Sequence, residues 1–296
     1  MHAQGHQGRL GIDHPEGWWP VTPQLKAYEA AGFTYVQVRT PPRSVLGDPE
    51  LTIRHACALA ENLALTSLRL ILHAPDDLLA GDPENDRQLA GAIRYAQVSG
   101  ADLIVYHGAR VPVASPGVRQ RLLDEERSLR HVLRILEQGT ARLAIENLGP
   151  VYPGPEYVSF NPSTVRDLVC RLECAQVGMC LDVGHAHIAA AFAGCSVLEL
   201  IEPVLDEVIM FHVHDNFGDR EGGELCGPFE PLRYDLHLAP GAGTIPWDEV
   251  APPLVGHWAP LQLEVNAAGR PAPATLAVLT RELLGLTHGA AVSAQP

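Results

Sequence analysis

Residues 68–108 read LRLILHAPDDLLAGDPENDRQLAGAIRYAQVSGADLIVYHG, and they hold a complete strand, helix and strand. The runs LRLILHA (68–74) and DLIVYHG (102–108) are short, apolar and β-prone, while NDRQLAGAIRYAQVSG between them returns apolar residues at three- and four-residue steps. That order describes two parallel strands joined by a right-handed helical crossover. Further runs of the same kind stand at LGID (10–13), YVQVR (35–39), RLAIEN (142–147), VGMCLDVGH (177–185), VIMFHVHD (208–215) and LQLEV (261–265), which makes eight. Amphipathic stretches such as RHACALAENLAL and RQRLLDEERSLRHVLRILEQ fill the gaps. In NPSTVRDL, Asn161 is placed to cap a helix whose first residue is Pro162, and GPFEP and LAPGAG mark loops.

Eight such units with no Pro/Gly/Ser linker point to one closed (β/α)8 TIM barrel, an α/β fold, in preference to a doubly wound open sheet. The latter carries a Gly-rich fingerprint after its first strand, where this chain reads GIDHPEGWW. The expectation is a single TIM-barrel domain over 1–296, with the barrel at about 9–287, PATLAVLTRELLGL as last helix and a frayed tail at 288–296.

At 296 residues and 46% hydrophobic, the chain can bury a large core. A net charge of −14, with no block of Lys or Arg, counts against nucleic acid as a partner. No signal-like N-terminus and no window of eighteen uninterrupted apolar residues is present, so a cytoplasmic protein without a membrane partner is expected. Homo-oligomerisation is compatible with the sequence, which does not decide it. The six cysteines (57, 170, 174, 180, 195, 226) form no C-x-x-C pair and read as reduced, mostly buried residues.

The polar residues at the C-terminal ends of the runs carry the chemistry. They are Asp13 with His14, His73, His107, Glu146, Asp182 with His185, His212 with His214, and Glu264; Asp235 and His237 follow the seventh run. In a barrel these ends converge on one mouth. A set made only of His, Asp and Glu suits a borderline or hard divalent cation such as zinc, manganese or iron. Without such a cation, so many carboxylates at one mouth would repel each other and lose their hydration.

The ordered set LHAP, YHGA, AIEN, LDVGHAH, FHVHDN, DLHLAPGAG and LEV resembles the xylose isomerase-like TIM barrels, a superfamily of sugar isomerases and epimerases that also holds endonuclease IV. The resemblance runs from about the third strand to the eighth. It implies that Glu146, Asp182, His212 and Glu264 hold one manganese or zinc ion and that Glu146 and Glu264 are catalytic, exchanging protons with a small polyhydroxy substrate. Endonuclease IV adds ligands that match His73, His107, His185, Asp235 and His237, so the ligand types suffice for up to three ions. Departures count against that branch. Its Tyr-containing segment after strand three is here HAPDDLLA, with Asp76 and Asp77 where a phosphate backbone would pass, its His-Pro-Gly is HGA, and its opening His-x-Ser is missing.

Three functions follow from this reading: a metal-dependent isomerase or epimerase, with a dehydratase or lyase sharing its first step; a multinuclear phosphodiesterase acting on abasic DNA; and a non-catalytic binding barrel. His214, on the same strand face as His212, is a candidate substrate contact. So are Trp18 and Trp19 in the first loop, which serve equally as packing residues. His187 reads as a bystander at a helix start, Trp247 as helix-start packing, and PGAG as a tight turn beside the mouth.

Overall fold

The structure, a computed structural model, describes residues 9–15, 17, 19–149, 156–220 and 234–286. Eight parallel strands form a closed barrel in sequence order. They are β1 (Leu10–Asp13), β2 (Tyr35–Arg39), β3 (Arg69–His73), β4 (Leu103–Tyr106), β5 (Arg142–Glu146), β6 (Val177–Asp182), β7 (Val208–Val213) and β8 (Leu261–Leu263). Closure is made by β8 against β1, with Leu10 beside Leu261 and Ile12 beside Leu263. Helices cross between successive strands, including Pro49–Leu63, Pro83–Ser99, Val118–Leu136, Pro162–Leu172 and Trp247–Gly256, and Pro273–Leu283 follows β8.

Strand periodicity explains both the core and the mouth. Val36, Leu70, Leu72, Ile104, Leu143, Ile145, Leu181 and Phe211 face outward into the main core beneath the helices. Their neighbours Tyr35, Ile71, Leu103, Val105, Ala144, Cys180 and Met210 face inward and fill the barrel. Two residues beyond an inward apolar residue, the same face is reached again one step nearer the mouth. That step carries Tyr35 to Gln37, Ile71 to His73, Ala144 to Glu146, Cys180 to Asp182 and Met210 to His212. The inner layer is thus apolar at the bottom and polar at the top.

Local chemistry sets the element ends. Asn161 accepts from Ser163 N with Pro162 at the first helical position, as its sequence implied. β6 stops at Asp182, and helix Val183–Ala193 starts at the next residue because the Asp182 side chain caps it. His185, which the sequence placed within the sixth run, therefore lies in a first helical turn. The GPFEP segment and the tail at 288–296 lie outside the described residues. The cysteines differ from expectation: among those described only Cys180 is buried, while Cys57 and Cys170 are exposed, since they sit on solvent-facing positions of the outer helices. Among the described residues no single helix is long and apolar enough to cross a membrane.

Candidate metal centre

His212 lies at the middle of the mouth. Its Nδ1 is 3.1 Å from Glu146 Oε1 and 3.7 Å from Asp182 Oδ2, and its Nε2 is 3.5 Å from Glu264 Oε1. One ligand atom from each of these four buried residues falls within 4.8 Å of the others. Asp182 sits beside His212 in the β6–β7 ladder. Its placement is doubly fixed: its backbone exchanges two hydrogen bonds with the Asn147 side chain (2.8 and 3.0 Å), and its Oδ1 accepts from His185 N at 2.7 Å.

Two further groups flank this one. On the β3–β4 side, His73, His107 and Asp76 come together, with His73 Nε2 and His107 Nε2 at 3.4 and 3.2 Å from Glu146 Oε2. On the β6–β7 side are His185, His214, Asp235 and His237. Asp235 Oδ2 is 3.1 Å from His185 Nε2 and 3.2 Å from His237 Nε2. All nine residues expected to ligate metal therefore fall in three adjoining groups, and Glu146 presents a different oxygen to each neighbour.

The electrostatics of the mouth call for cationic charge. Among the described residues, the ion pairs of Glu146, Asp182, Glu264 and Asp235 are all to histidine. Burial pulls His212 down, but the Glu264 and Glu146 carboxylates outweigh it and push His212 up to about 9. Burial likewise opposes His237, yet Asp235 raises it to about 10. Burial would lift the Glu146 carboxyl, but His212 and His107 hold it well below the usual range. His73 differs: burial and the Arg39 charge lower it, so it is neutral near pH 7.

The residues fit a divalent cation. Glu146 Oε2, Asp182 Oδ2 and Asp235 Oδ1 are buried with no hydrogen-bond partner in the structure, which is costly for a carboxylate unless a cation faces it. Nδ1 of His73, His185 and His237 each donates to a backbone carbonyl, of Ala74, Asn147 and Glu264 at 2.7, 2.8 and 2.9 Å. With Nδ1 donating there, Nε2 is turned toward the carboxylates and offers its lone pair to a cation that displaces its proton, the arrangement that metal-binding histidines use. Cys180 lies within reach of Glu146 and His212, but burial and the Glu146 charge push its thiol far up, so the donors are nitrogen and oxygen.

Sequence reasoning passed over Gln37. Strand β2 supplied no acidic or imidazole residue at its end, yet Gln37 is buried on its inward face. Its Oε1 accepts from His212 Nε2 at 2.9 Å, and its Nε2 donates to Glu264 Oε1. The available signal was a lone amide at the centre of YVQVR, in phase with the inward residue Tyr35. Asp76 was also read differently. Its carboxylate pairs with Arg39, and His107, His73 and Arg39 together outweigh burial and hold it at about 2. Asp77 pairs with Arg43 at 2.9 Å. The expected repulsion of a phosphate backbone by these two carboxylates is therefore largely cancelled by paired arginines.

The remaining candidates fall elsewhere. Trp19 packs edge-on against His55 of helix Pro49–Leu63 at 4.7 Å, in the helical layer, and Trp18 lies outside the described residues. Asp13 takes both oxygens to Arg270 (2.6 and 2.7 Å), tying β1 to the segment after β8. His187 Nδ1 bonds Asn216 Oδ1 at 2.8 Å, a structural tie. Trp247 is buried and donates its Nε1 to Asp215 Oδ2 at 2.8 Å. The same carboxylate accepts from Gly241 N and Ile245 N, which folds the PGAG turn against the end of β7. A Cβ on Gly243 would sit 2.3 Å from Asp215 Oδ1, so the turn needs glycine there.

Among solved structures, a D-tagatose 3-epimerase-like protein matches with a TM-score of 0.69 at 18% identity, covering 94% of this chain and 97% of that one. A D-psicose 3-epimerase from Clostridium cellulolyticum H10, solved with D-tagatose, matches with a TM-score of 0.64 at 15% identity over 94% and 97%. At these identities the likeness is one of fold. An uncharacterised protein of Methanocaldococcus jannaschii is 24% identical over 191 residues, or 62% of this chain and 59% of that protein, so the chain spans about three-fifths of that curated relative's length. The family model described as xylose isomerase-like TIM barrel matches residues 25–278, and the chain belongs to that family.

Proposed function

We propose that this chain is a divalent-cation-dependent isomerase or epimerase of a small polyhydroxy carbonyl compound, with Glu146 and Glu264 as its proton-transfer groups. The observation that carries the reading is their placement on opposite edges of one imidazole, Glu146 at His212 Nδ1 and Glu264 at His212 Nε2, both buried at the mouth. Two carboxylates facing one small space from two sides suit removal of a proton by one and return by the other. The names of the similar epimerases point to the same substrate class.

Glu146, Asp182, His212 and Glu264 would hold the ion, manganese or zinc, with the histidines and aspartates of the flanking groups available for up to two more. When bound, such an ion supplies positive charge that acidifies the C–H beside a carbonyl and stabilises the resulting enediolate charge. The chain's own residues do the rest. Gln37 steadies Glu264 and His212, and Asn147 fixes Asp182. One glutamate accepts the proton from carbon. The other delivers a proton to the opposite face in epimerisation, or to the neighbouring carbon in isomerisation; departure of a β-hydroxyl instead would give a dehydratase.

The test is a panel of ketopentoses and ketohexoses incubated in D2O with the manganese- or zinc-loaded protein. The expected result is deuterium at the carbon beside the carbonyl together with a changed configuration or a shifted carbonyl. Glu146→Gln and Glu264→Gln are each expected to lower turnover by at least ~100-fold. Absence of exchange across the panel would overturn the reading. A second reading, a multinuclear phosphodiesterase, draws on the three adjoining groups and on the arginine pairing of Asp76 and Asp77. Metal-dependent nicking of an abasic-site duplex is the result that would favour it.

A further inference from the structure

The group on the β6–β7 side has a member that the sequence did not count as a ligand. His214 is completely buried, and neither ring nitrogen has a hydrogen bond of acceptable geometry in the structure, although Nε2 lies 3.1 Å from Asp182 Oδ1 and 3.7 Å from Asp235 Oδ1. Its ring stacks on that of His237, with centroids 4.0 Å apart and planes at 11°. Room for it is made by Gly184, where a Cβ would come within 2.1 Å of His214 Cε1.

Two other features show a site held in readiness. His185 and His237 both spend Nδ1 on backbone carbonyls and turn Nε2 to Asp235. His237 also adopts φ +48°, a left-handed conformation that a histidine enters at a cost and keeps only where its surroundings hold it. Hydrogen bonds within the group leave Asp235 Oδ1 and His214 unanswered.

We infer that His214 is the fourth ligand of a closed cation site with His185, Asp235 and His237, one that anchors the Asp235–His237 segment over the mouth and activates no water. Four protein donors satisfy a four-coordinate ion completely, whereas a site that generates hydroxide keeps a position open. Three imidazoles and one carboxylate suit zinc. The ion would link the end of β7 and the first turn after β6 to the segment after β7, adding to the backbone bridge of Asp215 with Leu238 and to the side-chain hydrogen bonds of Asp235. The site is independent of which reaction the Glu146 group performs, and as a closed site it weakens the phosphodiesterase reading.

Cobalt(II) distinguishes the cases, because four-coordinate cobalt absorbs strongly in the visible and six-coordinate cobalt weakly. The full chain is stripped with chelator, reloaded with cobalt and measured for ions per chain and absorption. The expected result is one strongly absorbing ion that persists in Glu264→Gln and is lost, with one ion fewer per chain, in His214→Phe and Asp235→Asn. Cobalt-dependent protection of residues 234–238 from hydrogen exchange is expected in the wild type and in Glu264→Gln. Wild-type protein that binds cobalt with weak absorption only, or His214→Phe that keeps the strong bands, would overturn the inference and leave His214 as an Asp182 contact. Should His214→Phe fail to fold, the wild-type spectrum and Asp235→Asn decide. Sugar turnover is scored separately, so a failed epimerase assay leaves this result standing.

Discussion

Replacing Glu125 by Gln should make the protein more stable at alkaline pH and flatten its pH dependence. Glu125 projects from helix Val118–Leu136 into the core, where Oε1 accepts from Tyr106 Oη and Ala109 N, each at 2.8 Å, while Oε2 has no partner. Burial outweighs those hydrogen bonds and pushes its carboxyl from 4.5 up to about 7. The folded state therefore holds a proton that the unfolded chain releases earlier. Below the unfolded value of 4.5 both states are protonated and the fold bears no charge-burial cost; stability is lost as pH rises from there to about 7 and is level beyond it. A difference of about 2.5 pH units at 1.36 kcal/mol each gives about 3 kcal/mol, present in full at pH 8. Gln keeps an oxygen for Tyr106 and Ala109 and carries no charge. In urea denaturation of chelated protein, Glu125→Gln should match the wild type near pH 4.5 and exceed it at pH 8 by up to about 3 kcal/mol, or roughly 6 °C in Tm. Parallel stability curves for the two proteins from pH 4.5 to 8 would refute the reasoning. The residue bears on the site as well, since Ala109 lies two positions past His107, and Glu125 holds that loop in place.

Other perturbations follow from the hydrogen bonds of the mouth. Gln37→Leu removes the acceptor that sets the His212 tautomer and the donor on Glu264, so affinity for manganese, measured by competition with a chelating dye, should fall roughly 10- to 100-fold with the fold intact; an unchanged affinity would remove Gln37 from the site. Asp215→Ala leaves Ile245 N and Trp247 Nε1 buried without their acceptor, at about 1–3 kcal/mol each, and frees Gly241 N, so it should lower Tm by several degrees. His187→Ala breaks one tie to Asn216 and should change metal affinity and ion count little, as checked by elemental analysis.

The barrel was legible because its signal is repeated: in β3 to β7 an inward apolar residue is followed two positions later by His, Asp or Glu, which marks a strand and its mouth end together. What escaped was single-residue and relational. Gln37 is neither charged nor imidazole, and its importance appears only when β2 is set across the barrel from His212. His214 looked secondary because a strand places it one step above His212, but the first turn of helix Val183–Ala193 brings His185 and Gly184 against it. Trp19 was open to two readings, substrate wall or packing residue, and its contact with His55 is the packing one.

Asp76 and Asp77 show why local charge in a sequence is a poor guide to the field at a site. Read along the chain they are two adjacent negative charges beside His73. In the barrel, β2 runs parallel to β3 with Arg39 level with His73, and this register delivers a guanidinium to Asp76. Arg43, the first residue of the short helix that follows β2, reaches Asp77. A pair of exposed or half-exposed ion pairs contributes little stability, but it changes what the rim presents: two arginines held at fixed positions beside the His73–His107 pair. An anionic group on a substrate would compete with Asp76 for Arg39, and it would do so within reach of His73 and His107. The net charge of −14 therefore describes the surface of the protein and not this edge of its mouth.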